Sequence, residues 1–110
     1  MAYSEALAAR IRTILETNEG LSERKMFGGL AFMLRGNMCA GVIGDDLMLR
    51  VGPNRYDDAL ARRGARPMDF TGRPMKGMVY VDAQAAATEG ALREWVEIAV
   101  GFVGALPAKG

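Results

Sequence analysis

The chain has 110 residues, half of them apolar and a quarter charged, with 14 basic against 13 acidic side chains and no histidine. This is a globular, one-domain composition: it can bury a core without disulfide or metal staples, and its net charge of +1 gives no bulk attraction to nucleic acid. The missing histidine removes both the commonest acid–base group near neutral pH and the commonest metal ligand.

Taken in chain order, Leu7, Ile11, Ile14 and Leu15 recur at helical spacing with Arg10, Arg12 and Glu16 on other faces, which predicts an amphipathic helix over about residues 4–18. Asn18, Glu19 and Gly20 end it. From Lys25 the pattern changes to short apolar runs separated by turn residues. Leu30, Phe32 and Leu34 alternate with Ala31, Met33 and Arg35; a second run covers Met38 to Ile43; Leu47, Leu49 and Val51 alternate with Met48 and Arg50. These predict three strands in an antiparallel meander, turned at Arg35-Gly36-Asn37 and Gly44-Asp45-Asp46. Gly52-Pro53-Asn54 breaks the third strand, and Asn54 is the predicted N-cap of a helix through Tyr56, Leu60 and Ala61 that stops at Gly64. Two further strands, Pro67 to Phe70 and Met75 to Val81, flank a turn at residues 71–74. Leu92, Trp95, Val96, Ala99, Phe102, Val103 and Leu106 form the stripe of a final helix closed by Pro107. The expected fold class is α+β over a single domain, residues 1–110. Helices pack on one antiparallel sheet as a two-layer sandwich, in the order helix, three strands, helix, two strands, helix.

The glycine pair in Lys25-Met26-Phe27-Gly28-Gly29-Leu30 enters a strand, whereas a nucleotide-binding glycine loop leaves a strand and opens a helix. Neither G-x-G-x-x-G nor G-x-x-x-x-G-K-[ST] occurs anywhere. A bulge, or close approach of the first helix or another backbone, is expected there. Cys39, the single cysteine, sits mid-strand with no activating neighbour and reads as a small buried hydrophobe; it excludes an internal disulfide framework and fits a reducing cytoplasm. Asp45-Asp46 reads as an ordinary hairpin tip, so neither a metal nor another cofactor is expected. No apolar run reaches the roughly 20 residues of a membrane span, and Ser4 and Glu5 stand where a secretory leader would be basic.

Residues 50–76 hold seven basic and three acidic side chains, and this cluster is where an anionic partner would bind. With Asp57, Asp58 and Asp69 interleaved, a solvated face with local ion pairs is the simpler account, and direct nucleic-acid binding is the weaker alternative. Seven of the eight methionines fall in or beside predicted strands. They read first as core filler, but both faces of the first two strands are apolar, Leu30, Phe32 and Leu34 on one side and Ala31 and Met33 on the other, so a face without helices meets a partner or leaves an apolar patch. That points to a protein–protein contact, a homodimer included.

Residues 26–60, from "MFGGLAFMLRGNMCAGVIGDDLMLRVG" onward, together with "RPMDFTGRPMKGMVYV" at 66–81, resemble the N-terminal domain of the TfoX/Sxy family of competence regulators. The resemblance implies a similar element order and a fold like that of secretion chaperones. Long members resemble transcriptional coactivators that act with the cyclic-AMP receptor protein and carry a second, helical domain; this chain ends at Gly110 and resembles a short stand-alone form. Met26, Phe27, Gly28, Gly29, Asp45, Asp46, Arg50, Asp69, Phe70, Gly72, Arg73, Pro74 and Lys76 match the signature, which supplies no catalytic residue. The expected function is a non-enzymatic regulatory or adaptor domain that binds a protein through Met26, Phe27, Gly28, Gly29, Arg50, Asp69, Phe70, Arg73 and Lys76. The alternative is a module or small enzyme that holds an anionic ligand with Arg50, Arg73 and Lys76, with Asp69 as the acid–base group.

Overall fold

The computed structural model describes residues 3–26, 28–68 and 76–108. Helix α1 (Glu5–Leu15) starts at Ser4, whose extended backbone lets its hydroxyl oxygen accept from the Leu7 N–H at 3.1 Å, and Glu5 in the first turn complements the positive helix end. Leu7, Ala8, Ile11 and Leu15 are its buried stripe. The longest helix, α3 (Glu89–Val103), is capped in the same way by Thr88, which accepts from Ala91 N–H at 3.1 Å, and buries Leu92, Trp95, Val96, Ala99 and Val103. A short helix α2 (Tyr56–Leu60) and a 3-10 turn (Ala83–Ala86) complete the helical elements of the described residues.

Six strands form one antiparallel sheet: β1 (Leu21–Met26), β2 (Gly29–Leu34), β3 (Asn37–Ile43), β4 (Asp46–Arg50), β5 (Ala65–Pro67) and β6 (Met78–Val81), in the spatial order β1-β2-β3-β4-β6-β5. Alternation sends Leu30, Phe32, Leu34, Ala40, Val42, Leu47, Leu49, Val79 and Val81 into one buried cluster with the stripes of α1 and α3. All three helices contribute to this cluster, so they lie on one side of the sheet. The α+β class with an antiparallel sheet and flanking helices is as expected.

Three local expectations are corrected. Strand β1 precedes the predicted meander: Ser22, Glu23, Arg24 and Lys25 are all exposed, and an edge strand gains its pairing from the backbone ladder rather than from an apolar face. Helix α2 is only five residues long and its N-cap is Arg55 rather than Asn54, with no side-chain cap bond. The two last strands are shorter than predicted, β5 ending at Pro67 and β6 beginning at Met78; residues 69–75 between them lie outside the described residues. At the glycine pair the bulge gives way to the other expected alternative, close approach of another backbone. Gly28 takes the left-handed conformation (φ 77°) that turns β1 into β2, and at Gly29 a Cβ would collide with the Val42 carbonyl oxygen of the neighbouring strand β3. The bulge lies elsewhere: Phe32 faces Ala40 while Met33 faces Met38, leaving Cys39 as the extra residue, turned into the helix-side core.

The far end of α3 is tied to the β2–β3 turn. Arg35, itself left-handed at φ 50°, donates to the Gly104 carbonyl at 2.7 Å, and the buried Asn37 amide donates to the Pro107 carbonyl at 2.9 Å. These bonds satisfy carbonyls at and beyond the C-terminal end of the helix.

Candidate functional site

On the face away from the helices, strand register lines up Arg24, Ala31, Gly41, Met48, Tyr80 and Arg66 as one row across all six strands. A second row runs Ser22, Met33, Met38. Gly41 has no side chain, and the Met48 methyl fills the vacated space: a Cβ there would lie 2.7 Å from it. Met48, Met68 and Met78 are buried, and Met38, Ile43 and Tyr80 pack half-buried against them. No helical residue joins this second cluster among the described residues. Met33 is half-buried beside it in the neighbouring row. At one edge the Arg66 guanidinium lies 5.0 Å from the Tyr80 ring centre and bonds Asp46 at 2.6 Å and Asp82 at 3.2 Å. Asp46 is therefore an ion-pair partner.

Where β4 ends and β6 begins, the face opens into a cleft of about 100 Å³ lined by Arg50, Gly52, Pro53, Lys76, Gly77, Met78 and Phe102. Its frame is backbone: the Gly77 carbonyl accepts from Val51 N–H at 2.8 Å and from Gly52 N–H at 3.1 Å. Gly52 is left-handed (φ 85°), and any Cβ on it would strike the ring of Phe102, which reaches in from α3. The Arg50 guanidinium lies 5.6 Å from the centre of that ring. Met78 belongs both to the methionine cluster and to the cleft wall, so the apolar face and the cationic cleft are continuous.

Of the residues singled out from the sequence, Arg50 and Lys76 come together in this cleft, while Gly28 in the β1–β2 turn and Gly29 at the start of β2 lie elsewhere in the sheet. Met26 ends β1, and Phe27, Asp69, Phe70 and Arg73 lie outside the described residues. Among the described residues the basic segment does form ion pairs, but not with the interleaved Asp57 and Asp58. Arg62 pairs with Glu94 of α3 at 2.8 Å and Arg66 with Asp46 and Asp82, so the partners come from distant parts of the chain. Burial pushes the Cys39 thiol up to about 12, against the opposing Arg50 charge, which leaves it a protonated thiol at neutral pH. Among the described residues no group of three or more His, Cys, Asp or Glu could hold a metal ion, and no helix is long and apolar enough to cross a membrane. Sequence reasoning missed Phe102 and Gly52 as cleft walls, because a helix stripe and a turn glycine carry no sign of what they meet. Tyr80 was within reach, since β6 alternates Met78 and Tyr80 against Val79 and Val81.

A model of the TfoX N-terminal domain matches residues 13–103. The chain belongs to the TfoX N-terminal domain family. The match starts within α1, ends at the last residue of α3, and so contains the whole sheet, the methionine face and the cleft. No curated protein and no solved structure matches the chain.

Proposed function

We propose that this TfoX N-terminal domain is a small regulatory or adaptor domain that works by binding another protein through the helix-free face of its sheet, without catalysis. Family membership supports the regulatory or adaptor role. The observation that carries the mode of action is the group Met38, Ile43 and Tyr80, half-buried against buried methionines, with Met33 half-buried in the neighbouring row, where among the described residues no helix packs. Covering such side chains releases water at roughly 25 cal/mol per Å² of apolar area, and unbranched thioethers can mould to a partner's surface. The exposed charges of edge strand β1 discourage pairing through the edge, which favours docking on the face. From the family we place this role in transcription or competence control, and the implied likeness to secretion chaperones is part of the same proposal. A second copy of the chain is the first partner to test for.

The test is affinity capture from nuclease-treated cell extract with wild-type protein and Met33→Glu, alongside sedimentation of each alone. Met33 is half-exposed and outside the packed methionine cluster, so the variant should fold. The proposal expects a specific protein, or a dimer, with wild type and its loss with the variant. Capture unaffected by Met33→Glu, or a wild-type protein that recovers nothing and sediments as a monomer, would count against it.

A further inference from the structure

We propose that the cleft between the β4–α2 connection and the start of β6 binds one phosphate group, free or as a monoester, with Arg50 and Lys76 as its ligands. This is independent of the protein-binding reading. The cleft is built before any ligand arrives: two hydrogen bonds to the Gly77 carbonyl lock its two backbone walls together, and the Phe102 ring closes a third side through the space that Gly52 leaves. Pre-organisation of this kind lowers the ordering cost of binding.

Its charge is one-sided. Two cations line it, and no carboxylate does among the described residues. The ion pairs of the described residues engage Arg12, Arg62 and Arg66, and neither Arg50 nor Lys76 is in one. Contact with Phe102 holds the Arg50 guanidinium in place through its π system and consumes none of its N–H donors. Arginine then offers a fork of donors to two oxygens while the exposed Lys76 ammonium supplies a point charge. A phosphate monoester carries about −1.5 to −2 at neutral pH and matches this pair of cations, whereas a carboxylate would balance only one. A volume of about 100 Å³ admits one such group and leaves whatever is esterified to it outside the cleft. Among the described residues it is a single seat, with no cation besides Arg50 and Lys76 in its lining, which fits a lone phosphate better than a nucleic-acid backbone.

The experiment is an amide NMR titration of the whole chain with inorganic phosphate, at constant pH and ionic strength, with acetate as the comparison. Saturable shifts confined to residues 50–53, 76–78 and 102, with weaker response to acetate, are expected. Lys76→Gln, an exposed position whose change leaves the fold intact, should weaken phosphate binding ~10-fold, and Arg50→Lys, which keeps charge but loses the fork, should weaken it as well. Parallel titrations with glycerol phosphate and a phosphoserine peptide name the source: the tightest of the three ligands identifies a small metabolite, a modified protein chain or the free ion. Shifts that fail to saturate and spread over Arg24, Lys25 and Arg63, or an affinity unchanged in Lys76→Gln, would overturn the assignment.

Discussion

Phe32 and Met33 are neighbours in β2 with opposite surroundings. Phe32 is enclosed under the helices with the Arg12 guanidinium 5.8 Å from its ring centre, whereas Met33 stays half-exposed on the other side of the sheet. The contrast holds across the sheet. The helix side is filled by Leu, Val, Ile, Phe and Trp, whose stiff side chains interlock with α1 and α3, and the other side by methionines, whose flexible chains fill gaps. One face specifies the fold. Among the described residues the other carries no helix, and its methionines pack on one another.

The sharpest break of this comparison is truncation of the two neighbours. Phe32→Ala should cost ~3–5 kcal/mol in denaturant unfolding, because the cavity lies in an interlocked core. Met33→Ala should cost no more than ~1 kcal/mol. Equal losses would mean that the faces do not differ as described. Next in size is Gly52→Ala, where α3 reaches round to the cleft. A left-handed backbone and the displaced Phe102 ring together should cost ~1–3 kcal/mol, measured by thermal unfolding, with the Phe102 signals shifted.

How much of this was legible in the sequence depended on whether a residue's own chemistry revealed its neighbours. Strands β2, β3 and β4 and helices α1 and α3 were readable within a few residues, because period-2 and period-3.6 apolar patterns reflect burial against the same core. Strand β1 was not, since Leu21-Ser22-Glu23-Arg24-Lys25 owes its conformation to pairing with β2. The apolar second face could be inferred from Ala31 and Met33. Of the cleft, Arg50 and Lys76 were visible as part of a long basic segment, but their meeting depends on the β4–β6 pairing of Arg50 with Met78, a contact between strands distant in sequence. The same distance hid the ion pairs, which join Arg62 to Glu94 and Arg66 to Asp46.

Smaller effects sharpen the comparison further. If adaptability rather than close fit governs the second face, Met48→Leu should cost less than ~1.5 kcal/mol even though Met48 is wholly buried. A larger loss would place Met48 in an interlocked core like the helix side. The smallest expected effect is at the rim of the helix side, where Arg12 donates to Glu23 at 2.8 Å. The hydrogen bond from Arg12 holds the Glu23 carboxyl below its ordinary range, with burial working the other way. A carboxyl depressed in the folded state stabilises above its unfolded pKa and loses that contribution as pH falls through the folded value. Wild type should therefore exceed Glu23→Gln by at most ~1 kcal/mol at neutral pH, the pair being largely exposed. Unfolding measured from neutral to strongly acidic pH should show that gap closing; a gap that widens on acidification would contradict the assignment.

The most direct test of the helix-free face as a docking surface follows the methionine methyl groups by NMR while the captured partner, or a second copy of the chain, is titrated in. The account predicts that the methyls of Met33 and Met38 shift first and furthest, with the amides of Arg93 and Glu97 on the outer side of α3 unmoved. Unchanged methionine methyls alongside shifts at Arg93 and Glu97 would contradict it.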